Sequence, residues 1–243
     1  EVRGDAVRGA AVAGATSVLG KSINLDASTE NGKKPHYGMI FDQNKCVGCT
    51  DCEVACQKVN LVPKGQMRLF IQDKTDPLNL KEKRYVRVSC QQCEDAPCVT
   101  VCPTKACHKD EKTGITTMNT DDCIACKYCI VACPYDVRFI NHETRAAESC
   151  NFCLDTNLKD GHEPACIEAC RYEAIVFGDL NDENSNIRKF LAAHETMVLD
   201  SPKNTHPQVF YYGVSEILAK NDKELAAKKG YKQAISWSEE IAL

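Results

Sequence analysis

The grouping of the cysteines constrains this chain more than any other feature of its sequence. Of seventeen cysteines, sixteen fall into four groups of four, and only Cys107 is left over. The groups, in chain order, are Cys46, Cys49, Cys52 and Cys56; Cys90, Cys93, Cys98 and Cys102; Cys123, Cys126, Cys129 and Cys133; and Cys150, Cys153, Cys166 and Cys170. Groups one and three read C-x2-C-x2-C-x3-C, whereas groups two and four keep the C-x2-C start and the C-x3-C end around a longer middle.

The spacing of groups one and three is the ligand run of bacterial two-cluster ferredoxins. Thiolates two residues apart reach two irons of one cube from a tight loop, and a third thiolate reaches a third iron. The fourth cysteine lies one helical turn further on and binds the other cluster. Sixteen thiolates, at four per cluster, therefore predict four [4Fe–4S] clusters as the cofactors.

A proline follows the last cysteine in only two of the groups. Pro103 and Pro134 give groups two and three the C-P ending of the ferredoxin run, whereas Gln57 and Arg171 occupy that position in groups one and four. This departure loosens a turn preference but removes no ligand.

Two structural alternatives explain the cysteines less well. Disulfide scaffolds serve short secreted chains that cannot build a core, but 243 residues are enough to build one. Zinc sites use two C-x2-C pairs with a spacer, which does not account for three-cysteine runs followed by a fourth cysteine. The remaining thiol, Cys107, is predicted to be a small buried side chain and not a ligand.

Composition and charge agree with a cluster protein. The chain has one Trp, eight Tyr and seven Phe, so the clusters are expected to fill much of the space of an ordinary core. Its formal net charge is −4, and each oxidised cube with its thiolates adds roughly −2. Lys45, Lys105, Lys127 and Arg138 are interspersed among the cysteines, and no basic block suggests nucleic acid.

The two ends of the chain differ from its middle. Residues 1–35 read as a leader and linker, and the small, weakly apolar stretch 6–20 is either an export-signal remnant or an ordinary leader. No run of eighteen apolar residues predicts a membrane span. Residues 181–243 form a predicted helical C-terminal extension, with a helix over 181–194, an extended stretch over 206–213 and a tail that either packs or docks on a partner.

The middle, residues 36–180, is predicted to be one four-cluster domain. Short strands border the cysteine groups, at 37–42, 84–88, 115–118, 137–140 and 174–177, and residues 57–83 are expected to be an exposed, charged connection. A hairpin around 112–114 links groups two and three. The fold class is α+β, with two ferredoxin-like modules in which groups two and three pair and groups one and four pair.

The chain lacks the signatures of an active site. No acid–base pair, nucleophile motif or phosphate-binding loop is present, and the six histidines are scattered. An iron with a complete thiolate set has no open position for substrate. The chain is therefore predicted to be a non-catalytic, electron-transferring component whose donor and acceptor are other molecules.

The sequence resembles the iron–sulfur (beta) subunit of the dimethyl-sulfoxide-reductase-type molybdoenzymes over residues 36–213. The resemblance rests on YGMI before Cys46-x-Gly48-Cys49, on CPYDVRFI at the end of group three and on Pro164-Ala165-Cys166. It is strongest to the tetrathionate, polysulfide, thiosulfate and formate-dependent nitrite reductase subunits. The stretches FINHET (139–144) and PQVFYYG (207–213) are most similar to the tetrathionate type.

The resemblance implies a ligand set for each cluster. Set one is Cys46, Cys49, Cys52 and Cys170; set two is Cys56, Cys150, Cys153 and Cys166; set three is Cys90, Cys93, Cys98 and Cys133; set four is Cys102, Cys123, Cys126 and Cys129. Because group three is complete, no [3Fe–4S] centre is expected.

The resemblance also implies partners and a location. The partners are a molybdopterin catalytic subunit and a quinone-interacting integral membrane subunit of a respiratory, sulfur-compound reductase, and such complexes face the periplasm. Two alternative functions are a free-standing polyferredoxin and the iron–sulfur subunit of a nitrite- or sulfite-type cytochrome reductase system.

Overall fold

Short strands and helices alternate with long loops in the computed structural model, which describes residues 33–75, 83–199 and 204–214. The strands are β1 (Tyr37–Asp42), β2 (Leu69–Asp73), β3 (Tyr85–Ser89), β4 (Cys107–Lys109), β5 (Thr116–Met118), β6 (Phe139–Ile140), β7 (Ala147–Glu148), β8 (Ile175–Asp179), β9 (Met197–Val198) and β10 (Val209–Tyr212). The helices are α1 (Asp51–Val59), α2 (Pro97–Thr100), α3 (Tyr128–Ala132), α4 (Ala165–Glu168) and α5 (Asn186–Ala193), with a 3-10 turn at Leu158–Asp160. The chain thus combines helices and strands, as the α+β prediction requires.

A four-stranded sheet in the order β8-β1-β10-β9 joins the two ends of the cysteine region. Strand β1 runs antiparallel to β8 and parallel to β10, so that Met39 lies opposite both Phe177 and Val209. Because β1 precedes group one and β8 follows group four, this pairing carries the first and last cysteine groups to the same part of the molecule.

Helix α5 packs against this sheet over two glycines. Gly38 and Gly178 face each other in the β1–β8 register. A Cβ on Gly38 or Gly178 would lie only 3.1 or 3.0 Å from the side chain of Ile187, which is fully buried. The helix begins after Ser185, whose hydroxyl accepts a hydrogen bond from the Arg188 N–H. It is therefore shorter than the predicted 181–194 helix.

Two hairpins connect the other groups. β4 pairs with β5 between groups two and three, and β6 pairs with β7 between groups three and four. The β4–β5 turn is closed by Asp110, whose carboxylate accepts hydrogen bonds from the backbone N–H groups of Lys112 and Thr113. This turn is the hairpin predicted around 112–114.

The expectation that residues 57–83 form an exposed connection is wrong for its central part. Leu69–Asp73 forms β2, which pairs with β3 across five residues. Leu69 is buried, and the buried Gln66 donates a hydrogen bond to the Ile140 carbonyl. The apolar run Leu69–Phe70–Ile71 accounts for the strand, but the surrounding charges obscured it in the sequence. Residues 76–82 lie outside the described part of the chain.

The predictions for the two chain ends fall largely on residues that the structure does not describe. The leader expected at 1–35 is described only from residue 33, and of the helical tail expected at 214–243 only Val214 is described. The extended stretch expected at 206–213 contains β10, which pairs with β1. In the described ranges no helix is long and apolar enough to span a membrane.

Cysteines and a few aromatic rings together form the buried core. Phe177 stacks on Tyr37 with ring centroids 5.1 Å apart and meets Phe152 edge-on at 5.2 Å. The same buried cluster includes nine cysteines: Cys52, Cys56, Cys90, Cys93, Cys98, Cys107, Cys129, Cys150 and Cys166. Thiols therefore take up much of the interior, as the scarcity of aromatic residues led us to expect.

Candidate iron–sulfur centres

The structure brings together the thiols of predicted sets one and two. All seventeen cysteines are free thiols. Cys46 is close enough to Cys49 and Cys170 for their charges to interact, and Cys52 is close enough to Cys46 and Cys170. Cys56 interacts electrostatically with the other three members of set two, which are Cys150, Cys153 and Cys166. Helix α1, which carries Cys52 and Cys56, packs against helix α4, which carries Cys166.

The thiols of sets three and four line two cavities. One cavity is lined by all four cysteines of set three: Cys90, Cys93, Cys98 and Cys133. A second cavity is lined by all four cysteines of set four: Cys102, Cys123, Cys126 and Cys129. Helices α2 and α3 pack together here and carry thiols from groups two and three.

A left-handed backbone residue shapes the first loop of every group. The residue just before the second cysteine has a positive φ in all four groups: 74° at Gly48, 49° at Gln92, 54° at Ala125 and 53° at Phe152. This conformation curls the loop, so that the N–H of Gly48 points at the Cys46 thiol and that of Gln92 at the Cys90 thiol. The internal repeat seen in the spacing therefore extends to the backbone.

Backbone and amide N–H groups are directed at several of the sulfurs. The N–H of Cys107 lies 3.3 Å from the Cys102 Sγ, that of Ala147 lies 3.4 Å from the Cys123 Sγ, and that of Ala174 lies 3.3 Å from the Cys170 Sγ. The Asn60 amide lies 3.6 Å from the Sγ of Cys56 and 3.3 Å from that of Cys153, both of set two. Such donors stabilise thiolates and help set cluster potentials.

Burial keeps several of the free thiols protonated. It raises the pKa of Cys52 and of Cys166 to about 12, and it also raises the pKa of Cys56 and of Cys90. A thiolate at these positions therefore needs a cation beside it, and iron ligation provides one while displacing the proton.

The left-over cysteine is buried, as predicted, and contacts a predicted ligand. Cys107 is only 1% exposed. Its thiol is hydrogen-bonded to Cys98, which lowers the pKa of Cys98 and raises that of Cys107. Cys107 is therefore suited to be the protonated donor, and Cys98 to be the thiolate that accepts.

Exposure differs systematically among the four sets. Set one contains an exposed thiol, Cys49, and set four contains another, Cys126. All four thiols of set two are buried, and in set three only Cys133 is partly accessible. Sets one and four therefore each contain an exposed thiol, and sets two and three contain none.

Three interactions link neighbouring sets. Cys52 of set one is close enough to Cys166 of set two for their charges to interact, and Cys98 of set three is close enough to Cys129 of set four. Between sets two and three, the buried Gln92 donates a hydrogen bond of 2.7 Å to the Cys150 carbonyl. The sets are thus linked one to two, two to three and three to four.

A buried cation tests whether these thiol sets suit an anionic cluster. Arg138 is almost completely buried, and in the described part of the chain its terminal guanidinium nitrogens have no oxygen acceptor; the guanidinium lies against the thiols of Cys98 and Cys129. It also lies near Cys90. A buried guanidinium without an anionic partner is strongly unfavourable, and a [4Fe–4S] cube with four thiolates carries roughly two negative charges. The residues present therefore fit a [4Fe–4S] cluster.

The thiols are not arranged around single ions. In the part of the chain that is described, no three Cys, His, Asp or Glu side chains converge as the ligands of one metal ion. In a [4Fe–4S] cube each thiolate binds a different iron, so its four sulfurs lie farther apart than the ligands of one zinc.

Sequence reasoning missed or misjudged three polar residues at these sites. Lys45, Lys105 and Lys127 are exposed, as interspersed charges usually are, but Arg138 is buried. Arg87 and Asn60 were not predicted. The signal for Arg87 was its place in the strand that leads into group two, between Val86 and Val88 of β3.

The sequence is similar to known iron–sulfur proteins over most of its length. A 4Fe–4S dicluster domain family matches residues 82–180. Protein NrfC of Escherichia coli strain K12 is 44% identical over 205 residues, covering 83% of this chain and 88% of the relative. The B subunit of polysulfide reductase from Wolinella succinogenes is 45% identical over 72% of this chain and 92% of its own length. The thiosulfate reductase electron transfer subunit PhsB of Salmonella typhi is 43% identical over 65% of this chain and 83% of its own length.

Proposed function

This chain belongs to the iron–sulfur subunit family of the dimethyl-sulfoxide-reductase-type molybdoenzymes, and from that premise we propose that it relays electrons within a respiratory reductase complex. Four [4Fe–4S] clusters are held by the four thiol sets. They link a quinone-interacting membrane subunit to a molybdopterin catalytic subunit. When bound, the clusters accept and release single electrons without making or breaking bonds to a substrate.

The distribution of exposed thiols carries this proposal. An electron relay needs two ends that partners can approach and an interior that water and other oxidants cannot. Cys49 and Cys126, at the extremes of the order of sets, are exposed, while set two is entirely buried. Electrons accordingly enter at one of these ends and leave at the other.

Exposed apolar side chains surround both ends. Val47 and Val54 flank Cys49, and Ile124, Tyr128 and Val131 flank Cys126, all with large exposed fractions. Apolar surface of this kind is typical of protein–protein contacts. One partner subunit docks at each end, close enough to exchange electrons with the nearest cluster.

The domain organisation follows from the same arrangement. Residues 36–180 form two ferredoxin-like modules, one built from groups one and four and the other from groups two and three. The packing of α1 on α4 and of α2 on α3 supports this division. Residues 181–243 form a C-terminal extension that docks on a partner, and residues 1–35 include the remnant of an export signal. The subunit works in the periplasm, held at the membrane by its partner.

Native purification tests this function. We expect the chain to co-purify with a large molybdopterin-containing subunit and an integral membrane subunit, with cluster signals that quinol reduces. Recovery of the iron-loaded chain alone and monodisperse, with no such partners, would overturn the proposal in favour of a free-standing polyferredoxin.

A further inference from the structure

Arg138 lies between the ligand sets of two neighbouring clusters. Its guanidinium interacts with Cys98 and Cys90 of set three and with Cys129 of set four. It comes from the stretch that follows group three, two residues after the αL residue Asp136 (φ 51°). Cys98 and Cys129 also interact directly, so Arg138 is placed where sets three and four meet.

Arg87 has the equivalent position in the other half of the molecule. It is fully buried in β3 and interacts with Cys166 and Cys150 of set two and with Cys52 of set one. One terminal nitrogen lies 3.9 Å from the Cys150 Sγ, and the other donates to the Ser89 hydroxyl. Cys52 and Cys166 interact directly, so Arg87 is placed where sets one and two meet.

Neither arginine pairs with a carboxylate in the part of the chain that the structure describes. Arg68 lies close to set two but forms an ion pair of 3.2 Å with Glu148. Within residues 33–75, 83–199 and 204–214, no acidic side chain pairs with Arg87 or Arg138. The guanidinium of arginine keeps its proton in proteins. Their positive charge is therefore left to act on the cluster ligands.

We propose that Arg87 and Arg138 are positioning charges that set the reduction potentials of the two cluster pairs, Arg87 for sets one and two and Arg138 for sets three and four. The inference rests on the proposed ligand sets. A cluster gains one negative charge when it accepts an electron from a partner subunit, no bond forms, and each arginine keeps its proton. A buried cation favours the more negative state, so each arginine raises the potentials of both members of its pair.

Because each arginine lies between the two clusters of a pair, it also affects how the second cluster of the pair is reduced. When both clusters of a pair are reduced, their charges repel across a low-dielectric interior. A cation between them offsets part of this repulsion, so that the second electron enters a pair at a potential nearer to that of the first. Transfer along the relay is thus not blocked when one member of a pair is already reduced.

Potentiometric titration of the purified native complex, followed by electron paramagnetic resonance, tests the proposal. The variants are Arg87→Met and Arg138→Met, which remove the charge, and Arg87→Lys and Arg138→Lys, which retain it. Arg138→Met should lower the reduced-to-oxidised ratio of clusters three and four at least tenfold at a fixed ambient potential, which is about 59 mV for one electron. Clusters one and two should change little. Arg87→Met should give the reverse pattern, so each variant is the control for the other.

The possible outcomes distinguish the inference from the function on which it rests. Unchanged potentials in fully iron-loaded Met variants would refute the inference and leave the relay intact. An equal shift of all four clusters in either variant would also refute it, because the effect would not be specific to one pair. If a Met variant does not assemble, Arg→Gln at the same position supplies the neutral side chain instead. The inference would again be refuted if the cluster potentials fell as far in the Lys variants as in the Gln variants. A wild-type chain that binds no clusters would instead refute the proposed function.

Discussion

At the scale of single residues, two neighbouring thiols show how environment separates a ligand from a structural cysteine. Cys98 lies in helix α2 and lines a cavity with the other thiols of set three, whereas Cys107 lies in β4 with its thiol directed at Cys98. The cysteine spacing alone already predicted that Cys98 is a ligand and Cys107 is not, because Cys107 fits none of the four groups. The hydrogen bond between these two thiols could not be read from the spacing.

Serine substitution at these two positions tests the ligand sets. Cys98→Ser should remove the signal of one cluster from sets three and four, and should lower the iron content by about four atoms per chain. Cys107→Ser is the matched control: it removes a sulfur of similar burial but should leave the iron content unchanged. Electron paramagnetic resonance with iron analysis measures both. Selective loss of the signals from sets one and two in Cys98→Ser would show that the pairing of groups is wrong.

Gly48 is another position where one residue decides the geometry of a site. Its φ is +74°, and a Cβ would lie 2.5 Å from the Tyr85 ring. Gly48→Ala should therefore displace the first loop and reduce occupancy of the cluster held by set one. Gly65→Ala is the control, because its φ is +84° but nothing lies within 4 Å. It should cost only about 1–2 kcal/mol of stability from the backbone conformation. Equal iron content and equal stability of the two variants would contradict this account.

At the scale of elements, the strands that border the cysteine groups were largely predictable. β1, β3, β5, β6 and β8 all fall at or within one or two residues of the predicted stretches, because short β-branched and aromatic runs stand out between polar loops. β2 was not predicted, since its apolar run is embedded in a charged segment. The parallel pairing of β1 with β10 was also unpredictable, because nothing local in either strand specifies a partner about 170 residues away.

Helix α5 shows how the sheet behind the clusters is held. Ile187 packs onto Gly38 and Gly178, which lie opposite each other in β1 and β8 and have no Cβ to separate the helix from the strands. Ile187→Ala should cost about 2–5 kcal/mol and lower the thermal midpoint. Lys189→Ala, on the exposed side of the same helix, should change stability by no more than about 0.5 kcal/mol. Indistinguishable midpoints for the two variants would show that α5 is not anchored by Ile187.

At the scale of the whole molecule, the exposed thiols belong to sets one and four, whereas the thiols of sets two and three are buried or only partly accessible. The sequence predicted four groups of candidate ligands, because ligand spacing is a local property, and their binding of clusters stays a prediction. It could not predict which thiols are exposed or which residues lie between clusters, since both depend on how distant loops pack. The exposed ends at Cys49 and Cys126 and the buried Arg87 and Arg138 emerged only from the folded chain.

The apolar surface beside Cys126 should be needed for partner binding. Val131 is 82% exposed and close to that thiol in the chain, whereas Leu61 is 81% exposed but does not flank either exposed thiol in the sequence. Val131→Asp should reduce co-purification with one partner subunit at least tenfold, because a buried charge opposes an apolar contact. Leu61→Asp should leave it unchanged. Both variants should keep their full iron content, and equal partner recovery in the two would contradict the assignment of this surface.

Quantification of iron and acid-labile sulfide in the natively purified chain tests the central claim most directly. Four thiol sets, each holding one [4Fe–4S] cluster, predict about sixteen irons and about sixteen sulfides per chain, with no stoichiometric zinc. Fewer than about twelve irons per chain, with zinc in their place, would contradict the account and indicate a structural metal protein instead of an electron relay.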